Sequence, residues 1–377
     1  MNKRVLITGG AGFLGSHLAD ELLAHGYQVR VLDVLSPQVH GRRQECPTYL
    51  HPEVEFVCED ICHADAVRRA LHGVSAVFHL AAAVGVGQSM YELEKYLGIN
   101  TLGTAVLLEA LMQHPVEALI VASSMSIYGE GLCRAADGSL YPQAERSLTQ
   151  LHSGIWEVCD GQGNVLEPLP TPEHKPPALA SIYALSKYNQ ERMCLMIGRA
   201  YNIPTVALRF FNIFGPRQAL SNPYTGVLAI FASRYLNDQS PIIFEDGLQQ
   251  RDFVSVYDVI QACRLALEVP QAAGQVFNIG SGCASTVYEV AALMAQVLGK
   301  THLEPCITNT YRMGDIRHCF ADITRAQAVL GYTPRVTLAE GLEEMVDWLA
   351  GQIADDCSAR ASAELIKRGL MVSTTAI

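Results

Sequence analysis

No long apolar run interrupts this chain of 377 residues. Its most hydrophobic stretch, near residues 74–87, carries His79 and is too short to span a bilayer. Basic residues are scarce. The 27 lysines and arginines are outnumbered by 38 aspartates and glutamates, a net charge of −11. That balance offers no electrostatic footprint for DNA, RNA or an anionic membrane surface. Charged residues make up 17% of the chain and hydrophobic ones 49%, which excludes a disordered polymer and suits a well-buried globular fold. The 11 cysteines are scattered, and the closest pair, Cys58 and Cys62, has no second pair at zinc-ligand spacing. Reduced, mostly buried thiols are expected, and no metal site. The first residues run directly into an apolar strand with no leader-like segment, which predicts a cytoplasmic protein. Internal repeats are lacking too. The length suits one large domain or two that share a cleft.

What is present is a rhythm. Short apolar runs at residues 5–7, 28–32, 54–57, 76–78 and 119–121 alternate with amphipathic stretches at 16–25, 64–71 and 101–112. Strand–helix alternation at this spacing predicts an α/β fold with a doubly wound parallel sheet. Residues 130–180 break the pattern. They hold Pro142, Pro168, Pro170, Pro172, Pro176 and Pro177 and an excess of acidic side chains, which reads as a loop-rich insertion with one strand at 155–158. It either caps a binding pocket or decorates the surface. A strong helix resumes at 181–199, another is expected at 288–298, and the tail after Gly351 carries a weak helix signal at 361–368.

Gly9, Gly12 and Gly15 follow the first strand and open the first helix, with Phe13 and Leu14 between them. Glycines there permit a tight turn and close approach of a pyrophosphate, which the helix N-terminus then faces. Asp33 ends the second apolar run, where a carboxylate accepts hydrogen bonds from a ribose and repels a 2′-phosphate. NAD is therefore expected over NADP, although Arg42 and Arg43 stand a little further along. Tyr183 and Lys187 lie four residues apart on one helical face. A free phenol titrates near pH 10, and a neighbouring ammonium favours its ionised form. Tyr91 and Lys95 repeat the spacing. Only Tyr183, however, follows the serines that end the strand at 119–121, and the Tyr91 pair reads as a helix-surface contact.

These residues resemble the extended short-chain dehydrogenase/reductases, and within them the NAD-dependent sugar-nucleotide epimerase/dehydratase family. TGGAGFLGSHL at 8–18, Asp60-Ile61, HLAA at 79–82, SSMSIYG at 123–129, YALSK at 183–187, RFFNIFGPRQ at 209–218, RDFVSVYDV at 251–259 and FNIGSG at 277–282 run in family order. The resemblance implies a Rossmann domain over 1–208 and 246–280, a smaller C-terminal α/β substrate domain over 209–245 and 281–350, and a tail over 351–377. Gly9, Gly12, Phe13, Leu14 and Gly15 look like the pyrophosphate loop, Asp33 like the ribose ligand, and Asp60 with Ile61 like the adenine edge. Leu80, Ala81 and Ala82 should border the cofactor, and Asn100 should approach the nicotinamide side. Ser124, Tyr183 and Lys187 match the catalytic positions. Asn212, Arg251 and Arg312 match residues that hold a substrate diphosphate, and bidentate guanidinium contacts suit phosphate oxygens.

The family's dehydratases carry an Asp-Glu pair after the catalytic serine or threonine. Here Met125 and Ser126 stand there, and neither performs that acid/base work. Val84 occupies a position where UDP-galactose 4-epimerases have a lysine. The resemblance then implies 4-epimerisation through a 4-keto sugar. HKPPALA at 174–180 and NPYTGVLAIFASR at 222–234 look most like enzymes acting on dTDP-L-rhamnose, while GDIRHCFAD at 314–322 is shared more widely. The alternatives are UDP-hexose or UDP-uronate 4-epimerisation and, in another class, a non-catalytic NAD-binding regulator, which would be expected to have lost Ser124, Tyr183 or Lys187. The partner implied is a nucleotide-diphosphate sugar, without nucleic acid or membrane. Relatives pair through the helices near 91–112 and 183–199, so a homodimer is expected.

Overall fold

The structure is a computed structural model that describes residues 3–41, 45–224 and 226–373. Seven parallel strands form its main sheet: β1 (Arg4–Thr8), β2 (Gln28–Asp33), β3 (Glu55–Cys58), β4 (Ala76–His79), β5 (Ala118–Ser124), β6 (Thr205–Phe210) and β7 (Val276–Ile279). Their order across the sheet is β7-β6-β5-β4-β1-β2-β3. All five apolar runs read from the sequence are strands of this sheet, and the expected α/β class holds. Val5, Leu6, Ile7, Val77, Phe78 and Val121 are fully buried, because a parallel sheet covered on both faces hides every side chain rather than alternate ones. β1 lies between β2 and β4, so chain direction across the sheet reverses there, and a crevice opens at the carboxyl ends of those strands.

Apolar packing divides into two large sheet-based clusters and a third around the helix Val227–Leu236. The third joins Phe231 and Tyr235 to Val290 and Met294 of the helix Val287–Val297 and to Leu342 and Met345 of the helix Leu338–Leu349. Short strands surround it, among them Gln250–Arg251, which pairs with both Ser285–Thr286 and His318–Cys319. Among the described residues no helix is long and apolar enough to cross a membrane, and no group of side chains is arranged to hold a metal ion.

One expectation of the fold changes. The insertion has no strand at 155–158. Its small sheet instead joins Leu132–Arg134 to Leu140–Tyr141 and Glu167–Leu169, and Val158 packs with Cys133 and Leu166 beneath it. The tail carries the expected helix, Ser358–Lys367, and also a strand not expected, Met371–Ser373, paired antiparallel with Thr310–Arg312.

Candidate active site

The crevice at the reversal point continues into a cleft of about 660 Å³ between the sheet and the third cluster. Gly9, Gly12, Phe13, Leu14 and Gly15 form its floor at one end. Gly9 has φ +71°, and a Cβ there would fall 2.8 Å from the Ala81 backbone. A Cβ on Gly15 would meet the Gly10 Cα at 2.4 Å, so any side chain would prise the helix away from the turn. The helix Phe13–Ala24 begins at Gly12 with no side-chain cap, which leaves its first N–H groups directed at the cleft with no partner of their own. This end is built to take a pyrophosphate.

Asp33 closes β2 beside that turn. Its carboxylate accepts from Ala11 N at 3.0 Å and Leu35 N at 2.9 Å, which fixes it while leaving lone pairs for ribose hydroxyls. Asp60, Ile61, Leu80, Ala81 and Ala82 line the same end. Arg42 and Arg43 lie outside the described residues. Asn100 departs from the expectation, because it is fully buried and does not line the cleft. Its amide accepts from Ala83 N at 2.7 Å and donates to Ala83 O at 3.0 Å and Ser186 Oγ at 2.8 Å. It holds the cleft wall from behind, inside a π-helical turn, Leu97–Leu102, that offsets it from the regular helix after it.

At the centre stand Ser124, Tyr183 and Lys187. Ser124 is the last residue of β5 rather than part of a turn, and it caps the 3₁₀ turn Met125–Tyr128. Tyr183 begins the helix Ile182–Ala200, capped by Ser181, and its backbone N–H donates to Ser89 Oγ at 3.0 Å. Burial pushes the phenol above its ordinary value, and a hydrogen bond with Ser124 works against that rise. Burial draws the Lys187 ammonium down to about 8. It donates to Gln190 Oε1 at 2.7 Å.

Gln190 was not singled out from the sequence. Its amide nitrogen reaches Thr104 Oγ1 at 3.0 Å, Ala81 O at 3.2 Å and His79 Nε2 at 3.2 Å. Thr104 gives its own proton to Asn100 O at 2.6 Å, so His79 Nε2–H donates to Thr104 Oγ1 at 2.8 Å and His79 Nδ1 accepts from the Thr8 hydroxyl at 2.8 Å. Burial pulls His79 down to about 3 and keeps it neutral. A dry polar chain thus runs from Lys187 back to Thr8, at the foot of the glycine turn. Nothing in residue type reveals it, since β4 and the helix must first be packed together.

The far end of the cleft carries Asn212, Arg251 and Arg312. Arg251 donates to the carbonyls of Gln250 at 2.9 Å, Arg317 at 2.8 Å and Ile316, and has no carboxylate bound to it. Its positive charge is left for an anion. Arg312 is paired through two nitrogens with Asp315, at 2.7 and 3.0 Å, and lies over the Phe244 ring. The oxygens of Asn212, Gln218 and Gln249 are buried with no hydrogen-bond partner, and all three residues line the cleft.

The insertion neither lines this cleft nor sits loose on the surface. Arg146 bonds Glu130 at 2.8 Å and Glu245 at 2.9 Å, while fully buried Arg317 joins Glu245 to Glu157 and Asp246. Glu245 is a cleft residue held at φ +54°, a conformation that costs a non-glycine residue about 1 kcal/mol. Two buried guanidinium groups on its carboxylate account for its staying there. Tyr91 and Lys95 do not act as a pair, since Tyr91 bonds Tyr224 at 2.6 Å and Lys95 bonds Gln38 and Glu92.

Comparison with known proteins agrees with this geometry. The sequence model described as NAD dependent epimerase/dehydratase family matches residues 5–150 and 161–280. A dTDP-L-rhamnose 4-epimerase of Burkholderia thailandensis is 34% identical over 361 residues, covering 93% of this chain and 96% of that protein. A UDP-glucose 4-epimerase of Thermotoga maritima, solved with UDP-glucose, superposes with a TM-score of 0.74 at 32% identity, covering 92% of this chain and 98% of that one. The UDP-glucose 4-epimerase of Thermus thermophilus, solved with NAD, gives 0.72 at 31% identity over 93% and 100% of the two chains. With glycine turn, Asp33, Ser124, Tyr183 and Lys187 all on one cleft, the chain belongs to the NAD dependent epimerase/dehydratase family.

Proposed function

We propose that this protein is an NAD-dependent 4-epimerase of nucleotide-diphosphate sugars, and that dTDP-L-rhamnose is its substrate. The observation that carries the reaction type is the placement of Ser124, Tyr183 and Lys187 together on one cleft beside the dinucleotide turn. Bound NAD would accept the sugar's C4 hydride and return it. Tyr183 would take the 4-hydroxyl proton, Ser124 would orient that hydroxyl, and Lys187 would favour the phenolate and hold the cofactor ribose. Met125 is buried and Ser126 is committed to Ser124, so nothing beside the pair eliminates water. Gly9, Gly12, Phe13, Leu14, Gly15, Asp33, Asp60, Ile61, Leu80, Ala81 and Ala82 would bind the dinucleotide. The substrate would lie across residues 209–245 and 281–350, with Arg251 and Arg312 on its diphosphate. The unpartnered oxygens of Asn212, Gln218 and Gln249 would be met by its donors.

The choice of a 6-deoxy sugar rests on the wall near Tyr183. Val86 and Gly314 pack beside Ser181, and Val84 and Met125 line the same cleft. An apolar wall suits a methyl group and offers a carboxylate nothing. Support for NAD over NADP comes from Asp33. The sequence of the Burkholderia relative adds weight to dTDP-L-rhamnose. We further infer a homodimer and a reducing, cytoplasmic setting, the latter in keeping with 11 free thiols.

Separate incubations with dTDP-L-rhamnose, UDP-glucose and UDP-glucuronate, followed by NMR, test the reading. The 4-epimer should form from dTDP-L-rhamnose, and Tyr183→Phe should lower its rate by about 10²–10⁴-fold. Turnover of a UDP-sugar alone would contradict the substrate. Full activity in Tyr183→Phe would contradict the base.

A further inference from the structure

The final described segment, after Ala354, runs from the third cluster to contacts with Gly87, Tyr91 and the strand Thr310–Arg312. Ala354 packs in that cluster, and Arg234 anchors the next turn through Asp356 at 2.7 Å and Ser358 at 2.9 Å. The helix Ser358–Lys367 then buries Leu365. A Cβ placed on Gly87 would meet both Leu365 methyls and the Arg312 Cδ at 3.4 Å, so tail, Arg312 stem and the turn at Gly87 converge on one point. Arg368 lies 4.2 Å over the Tyr91 ring, and the Tyr91 hydroxyl bonds Tyr224 across the cleft. Met371–Ser373 completes the contact by pairing with Thr310–Arg312, Met371 opposite Arg312, while Met313 N donates to Leu370 O at 2.9 Å.

We propose that Leu365, Arg368 and Met371 are positioning residues for the substrate's diphosphate, acting by clamping the Arg312 strand against the turn that carries Gly87 and Tyr91. The proposal rests on the reading of Arg312 as a diphosphate ligand. A three-residue strand such as Thr310–Arg312 is weakly held alone, and a loosely placed guanidinium loses the orientation that bidentate phosphate recognition needs. The tail supplies that strand's missing neighbour and a cation–aromatic contact at its far end. Asp315 fixes the guanidinium from within its own turn, and the tail fixes the turn.

Steady-state kinetics on the full-length holoenzyme test this. Arg368→Ala and Leu365→Ala should each raise KM for the nucleotide sugar about five- to tenfold with kcat within about twofold, the signature of lost uniform binding. Bound NAD should stay near that of the unaltered protein, as should the melting temperature of Arg368→Ala, while Leu365→Ala, which empties a buried site, should melt lower. Arg368→Lys, which keeps a cation over Tyr91, should recover most of the affinity. Arg312→Ala serves as the reference and should raise KM further. If Arg312→Ala raises KM while the tail variants leave it unchanged, the clamp is overturned and the diphosphate reading stands. An unchanged KM in Arg312→Ala removes the diphosphate reading itself. Tail variants that lose kcat and NAD together with KM would show general loosening of the fold and would also overturn the clamp.

Discussion

Ser124 Oγ receives two hydrogen bonds from Ser126, one from its backbone N–H at 3.2 Å and one from its hydroxyl at 3.0 Å. With its acceptor capacity filled, Ser124 has only its own proton to offer, and Tyr183, on the same cleft, is the group to receive it. A donated hydrogen bond favours phenolate, so Ser126 acts on the base through its neighbour. Burial holds Tyr183 above its ordinary value in the free protein, so the rising limb belongs to the complex, where the positive nicotinamide ring would favour phenolate. Activity should then fall as pH climbs through about 8, where buried Lys187 loses its charge. Ser126→Ala should move the rising limb of kcat/KM upward by about 0.5–1 pH unit, the worth of one hydrogen bond. Ser126→Thr should leave it in place. An unmoved limb in Ser126→Ala would show that Ser124 needs no such orientation. At this scale the sequence was informative wherever chemistry is local. The glycine turn, Asp33 and the Tyr183–Lys187 spacing carry their meaning in adjacent residues. Ser126 and Gln190 were silent because their partners depend on a 3₁₀ turn and on a helix packed across β4. Asn100 was misplaced for a related reason, since a π turn rotates it behind the wall.

Two helical segments carry the next inference, namely Leu93–Tyr96 continuing through the π turn to Gly103–Gln113, and the catalytic helix Ile182–Ala200. They pack side by side, and both still expose large apolar side chains. Leu93 is 44% exposed, Leu102 56% and Met196 55%. A second copy covering these faces by two-fold symmetry would bury them in a four-helix interface. Light scattering should therefore give twice the chain mass, and the double change Leu102→Asp with Met196→Asp should give a monomer. A monomeric unaltered protein would refute the dimer. Elements of this kind were legible from periodicity: four of the five anticipated sheet strands end within one residue of expectation, and the fifth runs three residues further, to Ser124. The insertion was not legible. Its sheet joins Leu132–Arg134 to Glu167–Leu169 across more than thirty residues, and no local pattern announces so distant a pairing. The strand Met371–Ser373 was missed likewise, since three residues gain meaning only beside Thr310–Arg312.

Taken as a whole molecule, the protein carries a net charge of −11, and its cleft runs from a dinucleotide end lined by Asp33, Glu59 and Asp60 to a substrate end where Arg251 and Arg312 stand with Asp315 and Glu245. Arg251 has no carboxylate hydrogen-bonded to it, so its remaining N–H groups are the ones a diphosphate would draw on. Between the two ends stand Ser124, Tyr183 and Lys187, with Val84, Val86 and Met125 on the same cleft and no carboxylate directly after Ser124. Such an arrangement moves a hydride away and back with no net oxidation, and it leaves the C–H bond's hydrogen inside the cleft throughout. The decisive measurement follows dTDP-L-rhamnose labelled with deuterium at C4 through turnover in ordinary water. NMR of the product should show inverted configuration at C4 with the deuterium still on that carbon. Inversion accompanied by loss of deuterium to solvent would contradict hydride return and, with it, the role assigned to Tyr183.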